Sequence, residues 1–413
     1  MSQTLFIIIL CIVTFNYLFG LLLDYLDITL WSNTLPNELQ GIYDADKYRK
    51  SQDYEKTNTR FSFLTGAISF VAMLCMLVFG GFAWLDDSVR NFTTNPILMA
   101  LMFFGILGLA SDILGMPFEI YDTFVIEQKF GFNTTKPITY ITDKLKTWLM
   151  AIVLGGGLLA FIIWIYGATG SWFWFVAWVA LTGFTLFMSL FYSNLIVPLF
   201  NKQKPLEEGP LRLAIEEFAA KTGFKLKNIF VIDGSKRSRK ANAYFTGFGP
   251  KKRIVLYDTL INDLSTEEIV AVLAHETGHY KKKHVIVGLL SSILSSGLIL
   301  YILSLFIGNP AMSMALGATL GSFHMGIIAF ALLYSPISMV FGMAGNYFSR
   351  RNEYAADRYA AQNYQPEAMQ SGLKKLSVMN LSNLRPHPLR VFLSYSHPTL
   401  LQRLNAIDLL KNK

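Results

Sequence analysis

The sequence has few of the residues on which small secreted domains and soluble enzymes depend. Only two of its 413 residues are cysteines, Cys11 and Cys75, and each lies inside a long apolar run. Two isolated thiols in such surroundings exclude a disulfide framework and a cysteine-based metal site. Charged residues make up 15% of the chain, against about 25% in an average soluble domain. This deficit excludes an ordinary soluble protein.

The missing charge is concentrated in seven apolar runs, each long enough to cross a bilayer, which takes about 20 helical residues. They cover residues 4–23, 61–85, 97–118, 147–168, 171–198, 285–308 and 322–345. The first run has no Lys or Arg before it and no small-residue cleavage site after it, so we interpret it as a retained span. The sequence therefore predicts a mainly α-helical, polytopic membrane protein with seven transmembrane helices.

The distribution of basic residues tests this count, because loops on the cytoplasmic side of a membrane are rich in Lys and Arg. With seven spans, 35 of the 36 basic residues lie on one face and only Arg90 lies on the other. This asymmetry predicts an outside N-terminus and a cytoplasmic C-terminus. The net charge of +8 is then a topology signal, and we expect no nucleic-acid partner.

The polar region 199–284 is long enough to fold beside the membrane. It begins with a predicted amphipathic helix at 208–222. Three short β-like runs follow, at 229–232, 243–246 and 253–257, and they predict a small antiparallel sheet. Ser265-Thr266-Glu267-Glu268 then has the pattern of a capping box, which predicts the start of another helix.

That helix carries the segment His275-Glu276-Thr277-Gly278-His279. Histidines four apart lie on one face of a helix, close enough to bind one cation, and the intervening glutamate can act as a general base on a metal-bound water. The alternative is two surface histidines on a charged helix. The apolar run 269–274 before the motif and the glycine inside the helix favour a zinc site, with one Zn²⁺ per chain.

A catalytic zinc needs a third protein ligand, and Glu353 is the candidate. Asp357 lies one turn later and would accept a hydrogen bond from a ligating histidine. Spans six and seven separate Glu353 from His279, and the predicted topology returns both to one face. The alternative is that Glu353 pairs with Arg350 or Arg351.

The remaining histidines are weaker candidates. His284 is expected at the membrane interface, His324 near the outer end of span seven, and His387 in a surface turn. His397, in Ser396-His397-Pro398, lies at a predicted helix start in the cytoplasmic tail. It is either a substrate-binding donor or a surface residue.

Several segments resemble those of the type I CAAX prenyl endopeptidases, which are seven-span membrane zinc metalloproteases. They are PFEIYDTFVIE at 117–127, GFN at 131–133, GSKRS at 234–238, NAYF at 242–245, EYAAD at 353–357, and SHP at 396–398 with Arg403. The resemblance covers most of the chain and indicates a bacterial or short eukaryotic member. One departure is Lys240, where the family often has a histidine; no proposed ligand is lost there.

The resemblance implies a role for each matching residue. His275, His279 and Glu353 would bind zinc, and Glu276 would be the general base. The supporting roles fall to four residues, with Asp357 holding the ligands, Asn242 binding the substrate backbone, His397 contacting the scissile carbonyl and Arg403 orienting the carboxylates. The implied fold is a ring of seven helices around a large chamber, capped by the zinc site.

The expected organisation has four parts. Residues 1–198 hold transmembrane helices 1–5, 199–284 the cytoplasmic metalloprotease region, 285–345 helices 6–7, and 346–413 the tail with the third ligand. Substrates would be membrane-associated peptides or proteins, as in removal of the C-terminal tripeptide of prenylated proteins. The site would face the cytoplasm from a bacterial membrane or the endoplasmic reticulum, and a monomer is compatible with this organisation.

Three alternatives remain open at this point. The protease could degrade misfolded membrane proteins without any prenylated substrate. A transporter could carry a structural zinc, although its spans should then hold more charged residues than Asp112 and His324. A non-catalytic scaffold would have no use for the complete set of ligands and base.

Overall fold

The structure is a computed structural model and describes residues 1–32, 34, 35, 37, 40–224, 229–246 and 253–411. The first half of the chain forms helices α1 Ser2–Ile28, α2 Ala45–Val78, α3 Gly81–Arg90, α4 Pro96–Tyr121, α5 Gln128–Phe130, α6 Pro137–Met150, α7 Gly157–Thr169, α8 Phe173–Leu195 and α9 Val197–Phe200. The second half forms α10 Pro210–Lys221, α11 Asp258–Asp263, α12 Thr266–Lys281, α13 His284–Phe306, α14 Pro310–Met314, α15 Phe323–Asn363, α16 Pro366–Met379, α17 Pro388–Ser394 and α18 Leu400–Lys411. The strands are β1 Gln203–Pro205, β2 Ile229–Ile232, β3 Ala243–Thr246 and β4 Arg253–Tyr257.

Six continuous helical segments among the described residues are long and apolar enough to cross a bilayer. One of them, Pro137–Phe200, has 64 residues, which is far more than the about 20 helical residues that cross a bilayer once. Gly170 ends α7 with φ 53° and ψ −122°, and α8 then packs back against α7. This segment therefore supplies two crossings, which makes seven crossings among the described residues.

The helices do not end where the apolar runs end. Helix α2 begins at Ala45, well before the predicted span at residue 61, and stops at Val78, where Gly80 adopts a left-handed conformation with φ 68°. Helix α15 continues without a break to Asn363, far beyond the predicted end at residue 345. A helix that passes from hydrocarbon into water keeps its backbone hydrogen bonds, so hydropathy marks the membrane rather than the helix.

Buried residues are concentrated at the two ends of the spans. In α15 no residue between Phe330 and Glu353 is buried, and α6 has no buried residue at all. Helices in a packed bundle bury a stripe along their whole length. The exposed middle turns indicate a ring of helices around an open chamber. A core closes each end of the ring.

The sheet is mixed, so the prediction of a purely antiparallel sheet was wrong. Its strand order is β1-β2-β4-β3, with β2 and β4 parallel and the other two pairs antiparallel. The chain leaves β2 and adds β3 at the outer edge before β4 returns beside β2. Strand β1 is only three residues long and ends at a proline, so it gives no alternating pattern that a sequence could reveal.

Helix α12 is the centre of the core next to the sheet. Ser265 and Glu268 form the predicted capping box at its start. Its apolar face packs against α10, α15 and α16. A Cβ atom at Gly278 would lie 3.0 Å from the Cα of Ala356 and 3.0 Å from the Cβ of Tyr359. The glycine therefore allows α12 and α15 to approach closely, which brings their side chains to one point.

Candidate metal centre

Three predicted ligands from two helices meet at this crossing. The Nε2 atoms of His275 and His279 are 3.2 Å apart. The carboxylate of Glu353, on α15, lies 3.4 Å from Nε2 of His275 and 3.2 Å from Nε2 of His279. Its side chain is only 5% exposed. These atoms form a group that can hold one metal ion.

The spacing of the group fits a tetrahedral ion. Bonds of about 2.0–2.1 Å to nitrogen and oxygen hold neighbouring ligand atoms of a tetrahedral zinc about 3.3 Å apart. Nε2 of His279 lies 3.2 Å from Nε2 of His275 and 3.2 Å from Oε1 of Glu353, both within 0.2 Å of that value, and the second carboxylate oxygen, Oε2, lies 3.4 Å from Nε2 of His275. Oε2 of Glu353 is also buried without a hydrogen-bond donor. Since a buried carboxylate oxygen needs a partner, the residues present fit a bound cation.

Asp357 and Arg403 fix the orientation of the first histidine. Oδ1 of Asp357 lies 2.8 Å from Nδ1 of His275, and Arg403 donates two hydrogen bonds to the same carboxylate at 2.8 and 2.6 Å. Nη2 of Arg403 is also 3.3 Å from Nδ1. We assign the proton on Nδ1 to a hydrogen bond with Asp357, because that contact is shorter than the one to Arg403. Arg403 already donates to the same carboxylate. Nε2 then keeps its lone pair for the metal.

The surroundings of His275 favour a positive charge. Burial lowers the pKa of its imidazole, but the neighbouring carboxylates of Asp357 and Glu353 outweigh burial and raise it to about 9. The carboxylates thus favour a proton on His275 at neutral pH when no cation is bound. A metal ion would meet the same electrostatic need.

The second histidine has a partner that the sequence did not suggest. Nδ1 of His284 lies 3.0 Å from Nδ1 of His279, although His284 was expected only at the membrane interface. A proton on Nδ1 of His279 can be donated to His284 and leaves Nε2 free for the metal. The only signal in the sequence was a third histidine five positions after the motif, at the start of α13.

Glu276 follows the first ligand on α12 and is partly buried. Burial raises the pKa of its carboxyl group, while the nearby charges of His275 and His279 oppose that rise. A carboxylate whose pKa is moved toward neutrality is a better proton acceptor for water. The position of Glu276 is therefore compatible with a general base.

His397 reaches the group from the C-terminal tail. Its Nε2 lies 3.4 Å from Oε1 of Glu353, and its side chain is 61% exposed. Arg350, which the sequence suggested only as an ion-pair partner for Glu353, instead donates to the carbonyls of Val391 and Tyr395 at 3.0 and 2.6 Å. It therefore holds the segment that precedes His397.

The contacts of Asn242 are separate from those of the metal ligands. It is exposed and directly precedes β3, an edge strand of the sheet. Its side-chain oxygen accepts a hydrogen bond from the N–H of Ala243 at 2.8 Å. Among the contacts of the described residues, none joins Asn242 to the three ligands. Lys240, at the departure from the family pattern, pairs with Glu127 at 2.9 Å and so ties the sheet region to the helical turns that continue α4.

The fold and the site together place the chain among membrane-embedded metalloendopeptidases. The chain belongs to peptidase family M48: the model of that family matches residues 205–411, and the CAAX prenyl protease N-terminal model, which describes five membrane helices, matches residues 26–202. The predicted family, the enzyme class and the multi-pass membrane fold are therefore confirmed. A peptidase of this family acts on peptide or protein substrates with a bound metal.

Similar proteins match along almost the whole chain. The "CAAX prenyl protease 1 homolog" of Oryza sativa subsp. japonica is 35% identical, with 97% of this chain and 96% of the relative covered. The "CAAX prenyl protease 1" of Saccharomyces cerevisiae is 33% identical over 92% of this chain and 89% of the relative. The crystal structure of S. mikatae Ste24p superimposes with a TM-score of 0.93 at 32% identity, covering 98% of this chain and 99% of that chain.

Proposed function

We propose that the chain is a zinc-dependent endopeptidase that removes the C-terminal tripeptide from prenylated CAAX polypeptides at a membrane surface. The observation that carries this proposal is the convergence of His275, His279 and Glu353 at the end of a membrane-spanning ring. The names of the similar proteins favour the prenylated substrate. A prenyl group prefers hydrocarbon and the scissile peptide needs a polar site, and this location provides both.

A zinc ion on the three ligands would supply a Lewis acid that lets a water lose a proton near neutral pH. Glu276 takes that proton and delivers it to the leaving amine. His397, exposed beside Glu353, donates a hydrogen bond to the scissile carbonyl oxygen. Asp357 and Arg403 keep His275 in the ligating tautomer.

The edge strand β3 gives the substrate a backbone to pair with. Its outer side has no neighbouring strand among the described residues, so an extended peptide can add to the sheet there. In this arrangement Asn242, at the start of β3, binds the substrate backbone. Strand β3 comes after Lys240 and before the zinc helix in the chain. A peptide paired with it would be held in an extended conformation for cleavage.

We further propose one zinc per chain and a zinc site that faces the cytoplasm. The excess of Lys and Arg on the side that carries the site supports this orientation. The relatives described above are from a plant and a yeast, which favours the endoplasmic reticulum over a bacterial membrane. Every residue in the proposed mechanism comes from one chain, so a monomer is sufficient.

The test compares purified wild type with Glu276→Gln. Elemental analysis measures zinc, and cleavage is assayed on a farnesylated CAAX peptide and on an unprenylated membrane protein. We expect about one zinc in both proteins, cleavage of the farnesylated peptide by wild type, and a loss of about 10²–10⁴-fold in the variant.

Two results would contradict the proposal. Cleavage that survives in Glu276→Gln would remove the general base from the mechanism. Wild type that cuts the unprenylated protein but leaves the farnesylated peptide intact would instead identify an enzyme that degrades membrane proteins.

A further inference from the structure

A basic cleft lies beside the zinc helix, outside the group of metal ligands. Its volume is about 300 Å³. The cleft is lined by Lys282, Arg351, Tyr354, Ala355, Arg358, Tyr359 and Gln362. Three of these side chains are cations, none is a carboxylate, and two phenols and an amide add further hydrogen-bond donors.

The three cations of the cleft have no ion-pair partner among the described residues. Two other arginines near this end of the ring are engaged: Arg350 donates to two backbone carbonyls and Arg403 to Asp357. Lys282, Arg351 and Arg358 therefore line one small cleft without a counter-charge. Like charges repel one another, and an anion with several acceptor oxygens would neutralise them.

The cleft lies where two membrane-spanning helices, α13 and α15, have their aqueous ends. Lys282 lies in the short turn between α12 and the membrane-spanning α13. Arg351 and Arg358 lie on the part of α15 that leaves the membrane. Basic residues at this level attract anionic lipids by about 1 kcal/mol each.

The walls of the cleft are fixed in place. Gly278 packs directly on Ala356 and Tyr359, so the two helices that carry the cations cannot separate without breaking this contact. The backbone of the site is therefore arranged before an anion binds, and only the three exposed side chains have to turn toward it. We infer that this cleft binds a phosphate group, and that the headgroup of an anionic membrane lipid supplies it.

A second basic cleft provides a matched control. It has a volume of about 510 Å³ and includes Lys50 and Arg60, but Asp46 and Asp53 also line it. Asp46 lies 3.9 Å from Arg49, so the charge there is partly neutralised. Removing two cations from this cleft changes the net charge of the protein by the same amount as removing two from the first.

The experiment compares wild type, the double variant Arg351→Gln/Arg358→Gln, and the control Lys50→Gln/Arg60→Gln. Delipidated protein is titrated with phosphatidylserine, with phosphatidylcholine and with inorganic phosphate, and binding is read by native mass spectrometry. We expect wild type and control to retain phosphatidylserine, and the first double variant to bind it about 25-fold more weakly, from about fivefold per cation. Zinc content should be equal in all three.

Two outcomes would overturn the inference. Equal binding of phosphatidylserine by both double variants would mean that general surface charge, and not this cleft, attracts the lipid. Binding of inorganic phosphate without binding of the lipid would exclude a headgroup as the source. A variant of Lys282→Gln, which changes the cleft from its other wall, guards against misfolding of α15 as the cause of a loss.

Discussion

Each end of the helical ring buries a histidine against an aspartate, and an arginine holds each aspartate. At the zinc end the three are His275, Asp357 and Arg403. At the opposite end Nε2 of His324 lies 2.5 Å from Asp86, which Arg90 contacts at 2.9 Å.

The two ends differ in what else the histidine faces. The ring of His324 lies 4.6 Å from that of Phe103 at a tilt of 40°, and the residue is 1% exposed. No further metal-ligand group joins it among the described residues. His275 instead points its second nitrogen at a histidine and a glutamate beside an exposed His397. A buried His–Asp pair is therefore a structural element that becomes a site only when other ligands and a path from solvent meet it.

The largest expected effect is the loss of metal when a ligand is removed at the metal-binding end, while the matching histidine at the opposite end can be replaced without such a loss. Glu353→Ala removes a ligand and leaves two histidines, which are too few to hold a catalytic zinc. We expect zinc by elemental analysis to fall from about one per chain to near none, with loss of activity. His324→Gln should keep its zinc. Full zinc retention in Glu353→Ala would remove the third ligand from the site.

The arginines offer a second, smaller contrast. Arg403→Gln frees Asp357 to move and should weaken zinc binding about 10–100-fold, as expected for a residue that supports a ligand. Arg90→Gln removes the same kind of contact at the other end and should lower only the melting temperature. Competition with a chelator measures the affinity. Equal chelator sensitivity in the two variants would mean that Arg403 acts through general stability.

The close approach of α12 and α15 predicts a stability effect. Gly278→Ala places a Cβ at 3.0 Å from backbone and side-chain atoms of α15, and such overpacking costs about 1–3 kcal/mol. Helix propensity returns about 1 kcal/mol, so we expect a lower melting temperature together with lower zinc occupancy. Gly288→Ala, which is also inside a helix but has no atom within 4 Å of its Cβ, gains the propensity without the overpacking, so its melting temperature should not fall and its zinc occupancy should stay the same. Unchanged zinc in Gly278→Ala would show that the helix separation is not critical.

The smallest effect concerns the start of the zinc helix. Burial raises the pKa of Glu268, but hydrogen bonds from Lys375, Ser371 and the N–H of Ser265 outweigh burial and lower it. A lowered pKa in the folded state stabilises the protein above the unfolded value of about 4.3, and this stabilisation is lost as the pH falls through the folded pKa. Glu268→Gln should cost about 1 kcal/mol at pH 7. Melting scans should show a smaller difference near pH 4, and a difference that grows in acid would contradict this account.

Much of the site could be predicted because its chemistry is local. The H-E-x-x-H motif and the capping box belong to one helix. In each of them the interacting residues are three or four positions apart, so helix geometry alone brings their side chains together. The contact of His284 with His279 was missed because it depends on how α13 leaves the turn after α12. The engagement of Arg350 with the tail likewise depends on where α17 packs, and no spacing along the chain encodes that.

The fold was predictable to the extent that hydrophobicity decides it. Apolar runs located the spans, but the left-handed Gly80 that ends α2 and the unbroken length of α15 are backbone features that hydropathy does not register. The sheet shows the same limit. Three of its strands were located from their composition, while the parallel pairing of β2 and β4 follows from the path of the chain between them.

The length of α15 has a mechanical consequence. This helix of 41 residues includes Pro336 in its membrane part and Glu353 in its aqueous part, about 25 Å apart along the axis at about 1.5 Å per residue. It acts as a lever: a bend of only about 5° at Pro336 would displace Glu353 by about 2 Å over that length. A site tolerates about 0.5 Å of displacement. Span seven must therefore stay still while a substrate enters, and any opening of the ring falls to the helices that carry no ligand.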